Sequence, residues 1–344
     1  MTSGAPQISN SASPAGGMDQ RLASAVSARR STPLLQALVL LALLAGLPLL
    51  VGSYTLHGVI ISMIFLLPAL GLNLLVGYTG MLSLAQGAFF GIGAYASALM
   101  AMHFGTPFYL NVLVAGLVAA LVALPLGVPA LRLRATSFVM CTLGFVVISQ
   151  TLAKNWISLT RGDMGLSSVP KPEFGFGGMS VTTTSGYYGL AIVVAGLAVA
   201  ALYAIIASPA GRCLIAIRDN ETLAEAVGIP TWRYKLIVFA LSAAFAGVGG
   251  SLYAHYLTVV SPLSFSMYYS TTILIIVLGG GAGTIRGVVI GSLLFVALSE
   301  ALRVAPELRM ILYGVCLLSL VFWFPKGLEP LLARLFGPLS TSKQ

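Results

Sequence analysis

Across 344 residues the sequence is 58% hydrophobic and only 8% charged, with a mean hydropathy of +0.98. Soluble domains carry about 25% charged residues. From Ser31 to Leu131 there is no Asp, Glu, Lys or Arg at all, which excludes a hydrated soluble fold and leaves an all-α polytopic membrane protein. The net charge of +9 does not point to nucleic acid, because the 18 basic residues are scattered singly along loops instead of clustering with aromatics on one face.

In chain order, residues 1–33 are rich in Ser, Ala and Gly without apolar periodicity and read as a mobile cytoplasmic tail. Arg29 and Arg30 precede an apolar run, as in a secretory or twin-arginine signal, but no A-x-A site follows and the hydrophobic runs continue. The run therefore reads as an uncleaved first span. Windows of about 20 apolar residues then place ten spans near 34–52, 56–76, 84–103, 108–131, 137–153, 187–207, 236–258, 267–282, 285–304 and 308–324, within a transmembrane body at 34–325 followed by a cytoplasmic tail at 326–344. The third and eighth are the weakest members, so the count lies between eight and ten, with broken or re-entrant helices allowed. With the N-terminus cytoplasmic, thirteen basic residues fall inside and five outside, which satisfies the positive-inside rule.

Glycine-rich segments interrupt this pattern. Gly71–Tyr95, "GLNLLVGYTGMLSLAQGAFFGIGAY", combines glycines with Asn73, Ser83 and Gln86, and each Gly disfavours helix by about 1 kcal/mol relative to Ala. Gly77 and Gly80 are expected to break the chain between the second and third spans, exposing backbone dipoles to a polar solute. Gly87, Gly91 and Gly93 are expected to serve close helix packing. Asn73, Gly77, Gly80, Ser83, Gln86 and Ser97 are thus the candidates for a translocation pathway, although polar residues inside membranes also hydrogen-bond helix to helix without touching a solute. Gly279, Gly280, Gly281, Gly283, Gly287 and Gly291 repeat the same style later in the chain, either as a weak internal repeat or as helix-packing glycines.

Two loops are long. Residues 154–186, placed outside, contain "LTRGDMGLSSVPKPEFGFGG", where Gly and Pro bar a regular helix. Residues 208–235, placed inside, read "SPAGRCLIAIRDNETLAEAVGIPTWRYK". There Asp219 or Asn220 can cap a helix, Glu221 suits its first turn, Thr222 and Glu225 have capping-box spacing, and Gly228 with Pro230 stops it after about two turns. A helix that short needs a surface to lean on, either its own membrane domain or the lipid surface, or a cytoplasmic partner approached through the small residues Ala224, Ala226 and Gly228.

Four stretches together resemble the LivM-type permeases of branched-chain amino acid ABC importers: "GLNLLVGYTGMLSLAQGAFFGIGAYASALM", "LRLRATSFVMCTLGFVV", "AIRDNETLAEAVGIPTWRYKLIVFALSAAFAGVGGSLYA" and "GGGAGTIRGVVIGSLL". Their order along the chain matches that family. Ala85, Arg161 and Val288 depart from its usual Gly, Gly and Pro. The resemblance implies a permease subunit in the bacterial inner membrane, paired with a second related permease subunit, two cytoplasmic ATPase subunits and a periplasmic substrate-binding protein. It also implies that Arg218, Asp219, Asn220, Glu221, Ala224, Glu225 and Gly228 contact the ATPases.

No G-x-x-x-x-G-K-[ST] sequence occurs, so ATP would be used by the partner subunits and the chain needs no cofactor of its own. Urea and short-chain amide permeases look similar throughout and are the nearest alternative. A secondary transporter or channel is disfavoured by the scarcity of intramembrane acids, Glu300 being the one exception. A membrane enzyme would need an acid–base or nucleophile set, and the external acids Asp163 and Glu173 have no neighbouring His. Neither Cys141, Cys213 and Cys316 nor His57, His103 and His255 show metal-ligand spacing.

Overall fold

The structure, a computed structural model, describes residues 53–173, 183–301 and 315. The expected tails at 1–33 and 326–344, the first and tenth spans and part of the outer loop lie outside the described residues. Eight principal helices follow one another. They are α1 (Ser53–Thr79), α2 (Gln86–Phe104), α3 (Phe108–Ala130), α4 (Ala135–Asn155), then α6 (Thr184–Ala207), α9 (Thr231–Leu257), α10 (Met267–Gly280) and α11 (Ile285–Ala301). Between them come the short α5 (Ile157–Thr160), α7 (Pro209–Asp219) and α8 (Glu221–Ala226).

Six of the described helices, α1, α2, α3, α4, α6 and α9, are long and apolar enough to cross a membrane. They coincide with the second to seventh expected spans. The eighth, α10, has 14 residues, and at 1.5 Å per residue it reaches about 21 Å, short of a hydrocarbon core of about 30 Å. The chain turns from α10 into α11 within the Gly-rich segment at Gly281–Thr284.

Helix α1 is the axis of the bundle. Ile60, Ile64, Leu67, Leu70 and Leu74 are fully buried, and α9, α11, α6 and α10 pack around it. Helix α9 runs between α1, α2 and α3 through backbone-close contacts. A Cβ on Gly93 would lie 2.3 Å from Gly247, and one on Gly250 would lie 2.0 Å from the Phe90 carbonyl oxygen. No side chain fits in those places, so the glycines there gain packing that offsets their low helix propensity. Gly87 and Gly91 are likewise filled from outside, by Ser270 and the Phe265 ring. An aromatic layer formed by Phe65, Phe90, Tyr253 and Tyr269 fastens α1, α2, α9 and α10 together.

The outward face of α3 is a stripe of Leu113, Leu117, Leu121 and Val128, all exposed in the isolated chain. Residues at this helical spacing, apolar without exception, suit contact with acyl chains and not with water.

At the end of the bundle holding the α9 C-terminus, the loop after α4 folds back onto α9. Leu166–Ser167 pairs antiparallel with Val259–Val260, and the Val169 amide donates to the Thr258 carbonyl at 3.0 Å. His255, 2% exposed, has Nδ1 2.7 Å from the Pro170 carbonyl oxygen. Because a carbonyl only accepts, that nitrogen carries the proton, and Nε2 accepts from the Ser97 hydroxyl at 2.9 Å. Ser251 lies 2.7 Å from the same hydroxyl and completes the chain as its donor. Arg161 adopts a left-handed conformation with φ 59 in this loop, the geometry that a glycine favours and an L side chain resists.

Candidate functional site

The opposite end gathers the termini of α1, α3, α4, α7 and α9 around a cavity of about 670 Å³, lined by Thr79, Gly80, Leu133, Arg134, Arg218 and Lys235 among others. Helix α1 stops here because Gly80 takes φ +73, with its amide still on the Val76 carbonyl at 3.2 Å and the Met81 amide on Leu75 at 3.3 Å. Residues Gly80 to Ala85 then run without regular helix until α2 begins at Gln86. Of the two glycines expected to break the chain, only Gly80 does so.

Gly77 remains helical and is a packing glycine, since a Cβ there would sit 2.3 Å from the Gly283 nitrogen. In sequence the two roles look alike. A glycine that gives way to a left-handed turn and one that admits another backbone are told apart only by what lies opposite.

The second Gly-rich break lies against the first. Gly283 has φ +88; its amide donates to Asn73 Oδ1 at 2.7 Å, and its carbonyl accepts from the Tyr78 hydroxyl at 2.9 Å. Asn73 Nδ2 approaches the Thr284 carbonyl at 3.5 Å. Asn73 is wholly buried, so its amide satisfies the loop backbone that would otherwise be stranded in apolar surroundings.

The other pathway candidates separate from this cluster. Ser83 is buried and its hydroxyl accepts from the Ala85 amide at 3.2 Å. Gln86 is buried and donates to Ser242 at 2.6 Å, while its Oε1 has no hydrogen-bond partner. Ser97 lies well along α2, bonded to Ser251 and His255 near the other end. Asn73, Gly77 and Gly80 are therefore brought together, and Gly80 alone of the six lines the cavity.

The segment after α6 holds two helices where one was expected. Ser208 accepts from the Gly211 amide with Pro209 in the first turn and opens α7, which buries Gly211, Leu214 and Ile217. The Ser-Pro pair at a helix start was the signal for it. Asn220 caps α8 by accepting the Leu223 amide at 3.0 Å, and Gly228, with φ +88, follows its end.

The expected capping box does not form. The third position after the cap is Leu223 and not an acid, and Glu225 instead accepts the Thr231 hydroxyl at 2.6 Å. Glu221 pairs with the Lys235 ammonium, whose side chain is 10% exposed against 48% for the glutamate. Ala224, expected at a partner surface, is buried within the chain, whereas Leu223 and Val227 are 63% and 70% exposed. These two residues, one helical turn apart, form an apolar pair missed by attention to the small residues.

Basic residues follow the same polarity. Arg132, Arg134, Arg212, Arg218, Arg233, Lys235 and Arg286 belong to segments at the cavity end, and Lys154, Arg161 and Lys171 to segments at the other.

Six long apolar helices, buried glycine seams and polar groups paired between helices define a multi-pass helical membrane protein. The chain belongs to the family of permease components of branched-chain amino acid transport systems, whose model matches residues 54–321. It is 34% identical over 315 residues to the high-affinity branched-chain amino acid transport system permease protein LivM of Escherichia coli K12, covering 85% of this chain and 74% of that protein. It is 29% identical over 293 residues to LivH of the same organism, covering 79% of this chain and 93% of LivH. A probable LivM from Methanocaldococcus jannaschii is 24% identical over 328 residues, with coverage of 79% and 93%. No solved structure gives a significant match.

Proposed function

We propose that the chain is the LivM-type subunit of an ABC importer for branched-chain amino acids, moving substrate on ATP hydrolysed by two cytoplasmic partner subunits. The observation that carries this reading is the agreement between the family match over residues 54–321 and a capped six-residue helix that holds Leu223 and Val227 out to solvent. So short a helix does not persist alone. Here it is held by the Asn220 cap, the Glu221–Lys235 pair and buried Ala224, which leaves its apolar pair free for a partner.

The cavity end is the cytoplasmic face, because that face retains the basic residues. Arg218, Asp219, Asn220, Glu221, Glu225 and Gly228 belong to the docking segment, with Leu223 and Val227 as its apolar contacts. The second permease subunit is a homologous chain, in keeping with the likeness to both LivM and LivH. A periplasmic binding protein delivers substrate to the opposite face.

The route passes the Gly80–Ala85 break toward the cavity. Gln86, the first residue of α2 after that break, keeps a buried Oε1 with no hydrogen-bond partner, an acceptor that an opening of the break would make available to an ammonium group.

Purification of the chain with its co-expressed operon neighbours tests the reading. ATPase subunits co-purify, and the melting temperature of the associated binding protein rises with leucine, isoleucine or valine. A response to urea or an amide with none to leucine overturns the substrate assignment, and absence of ATPase subunits overturns the class.

A further inference from the structure

Arg218 lies in the last turn of α7, shortly before the docking helix, yet its guanidinium reaches back to the end of α1. Its Nη1 donates to the Gly77 carbonyl at 2.6 Å, across 141 positions of sequence. That carbonyl is one of the last four of a 27-residue helix, a group that has no partner within its own helix. The two backbone bonds that close α1 go to Val76 and Leu75, so Gly77 is left for the arginine. A cation at this position also meets the negative end of the α1 dipole.

The same Nη1 lies 3.5 Å from the Cβ position of Gly283, and the Arg218 Cγ lies 3.6 Å from that of Gly80. One side chain from the segment before the docking helix thus bonds the end of α1 and lies beside both the break between α1 and α2 and the break between α10 and α11.

We propose that Arg218 is a positioning residue that couples the docking helix to both glycine breaks, not a contact for the ATPase subunits. The proposal deepens the importer reading and rests on it. Movement of α8 with an ATPase subunit carries Arg218 with it, because only Asn220 and the end of α7 separate them. The charge-assisted bond then pulls on the C-terminus of α1, the most enclosed of the six described spans. At the receiving end are two backbone turns held by left-handed glycines, Gly80 and Gly283, where dihedral change is least obstructed. Asn73 and Tyr78 tie the second turn to the first, so a displacement at Gly77 is shared by both. The coupling path is therefore a continuous set of bonds from α8 to the cavity rim.

The test uses the whole complex, reconstituted in lipid vesicles with its ATPase subunits, second permease and binding protein. ATP hydrolysis and substrate uptake are measured together. Arg218→Met and Arg218→Gln are expected to keep the ATPase subunits bound and hydrolysing, while substrate moved per ATP falls by about tenfold, the size of one lost charge-assisted bond. Arg218→Lys, which still presents a cation to the Gly77 carbonyl, is expected to recover most of that ratio.

Loss of ATPase co-purification in Arg218→Met would make the residue a docking contact and overturn the proposal. An unchanged uptake-to-ATP ratio overturns it as well. Failure of the Met and Gln variants to assemble overturns it in favour of a purely structural role. Failure of the unmutated chain to bind ATPases strikes instead at the importer reading.

Discussion

The side-chain carbonyl of Asn73 accepts the backbone amide of Gly283 at 2.7 Å, joining α1 to the Gly-rich break before α11 across 210 positions of sequence. The bond sets how closely α1 and the turn before α11 approach, and Gly77, one helical turn along from Asn73, lets them meet at backbone distance. A methyl group at Gly77 would stand 2.3 Å from the Gly283 nitrogen, a contact that no rotamer change can relieve.

Gly77→Ala is therefore expected to cost about 2 kcal/mol or more, despite a helix-propensity gain of about 1 kcal/mol. Gly58→Ala, in the same helix with nothing within 4 Å of the added carbon, serves as its control and is expected to be neutral or slightly stabilising. Thermal unfolding of the purified chain in detergent measures both. Equal melting temperatures for the two variants would show that the break does not pack as described.

Much of this architecture was readable in the amino-acid order because its signals are local. The charge-free spans follow from composition. The α8 cap and stop follow from Asn220 and Gly228, and the α1 stop from Gly80. What escaped is non-local. The sequence places Arg218 beside the short capped helix but gives no sign of the Gly77 carbonyl that its guanidinium reaches. Gly77 and Gly80, three positions apart, take opposite roles according to whether another backbone lies opposite. The apolar pair Leu223 and Val227 carries no mark in the sequence that sets it above the small residues Ala224 and Ala226, because helical spacing alone gives no direction to a helix of under two turns. The second helix, α7, did carry its own marker in Ser208–Pro209.

The Glu221–Lys235 pair holds α8 against the first turn of α9. Its lysine is nearly enclosed and its glutamate half-exposed, so its removal is expected to cost about 1–2 kcal/mol, between the values for surface and buried pairs. Glu221→Gln should reduce uptake and resistance to proteolysis at 220–230, and Lys235→Met in the same chain should restore part of the protection by removing the stranded charge. A double mutant that is worse than the sum of the single changes would contradict this coupling.

Leu223 and Val227 provide the most direct probe of the proposed docking face. Because both are exposed, Leu223→Asp and Val227→Asp are expected to change the melting temperature of the isolated chain by less than about 0.5 kcal/mol equivalent. In the complex the same changes place a carboxylate in an apolar contact, and co-purified ATPase should fall by about tenfold or more for each. Ala226→Asp is the comparison within the helix. If it alone removes the ATPase while the other two do not, the contact uses the small-residue face after all.

At the other end of the bundle, His255, carried by α9, joins the loop after α4 to α2. His255→Ala removes the donor to the Pro170 carbonyl and leaves the Ser97 hydroxyl without its acceptor inside the protein, at an expected cost of about 2–3 kcal/mol. Ser97→Ala takes away only the hydroxyl link, leaves the Pro170 bond in place, and should cost about 1 kcal/mol. Hydrogen exchange separates the two effects. The Val169 amide, bonded to Thr258, should lose protection in His255→Ala and keep it in Ser97→Ala, because only the former frees the loop from α9. Equal protection in both variants would mean that the short β pairing at 166–167 and 259–260 holds the loop without the histidine.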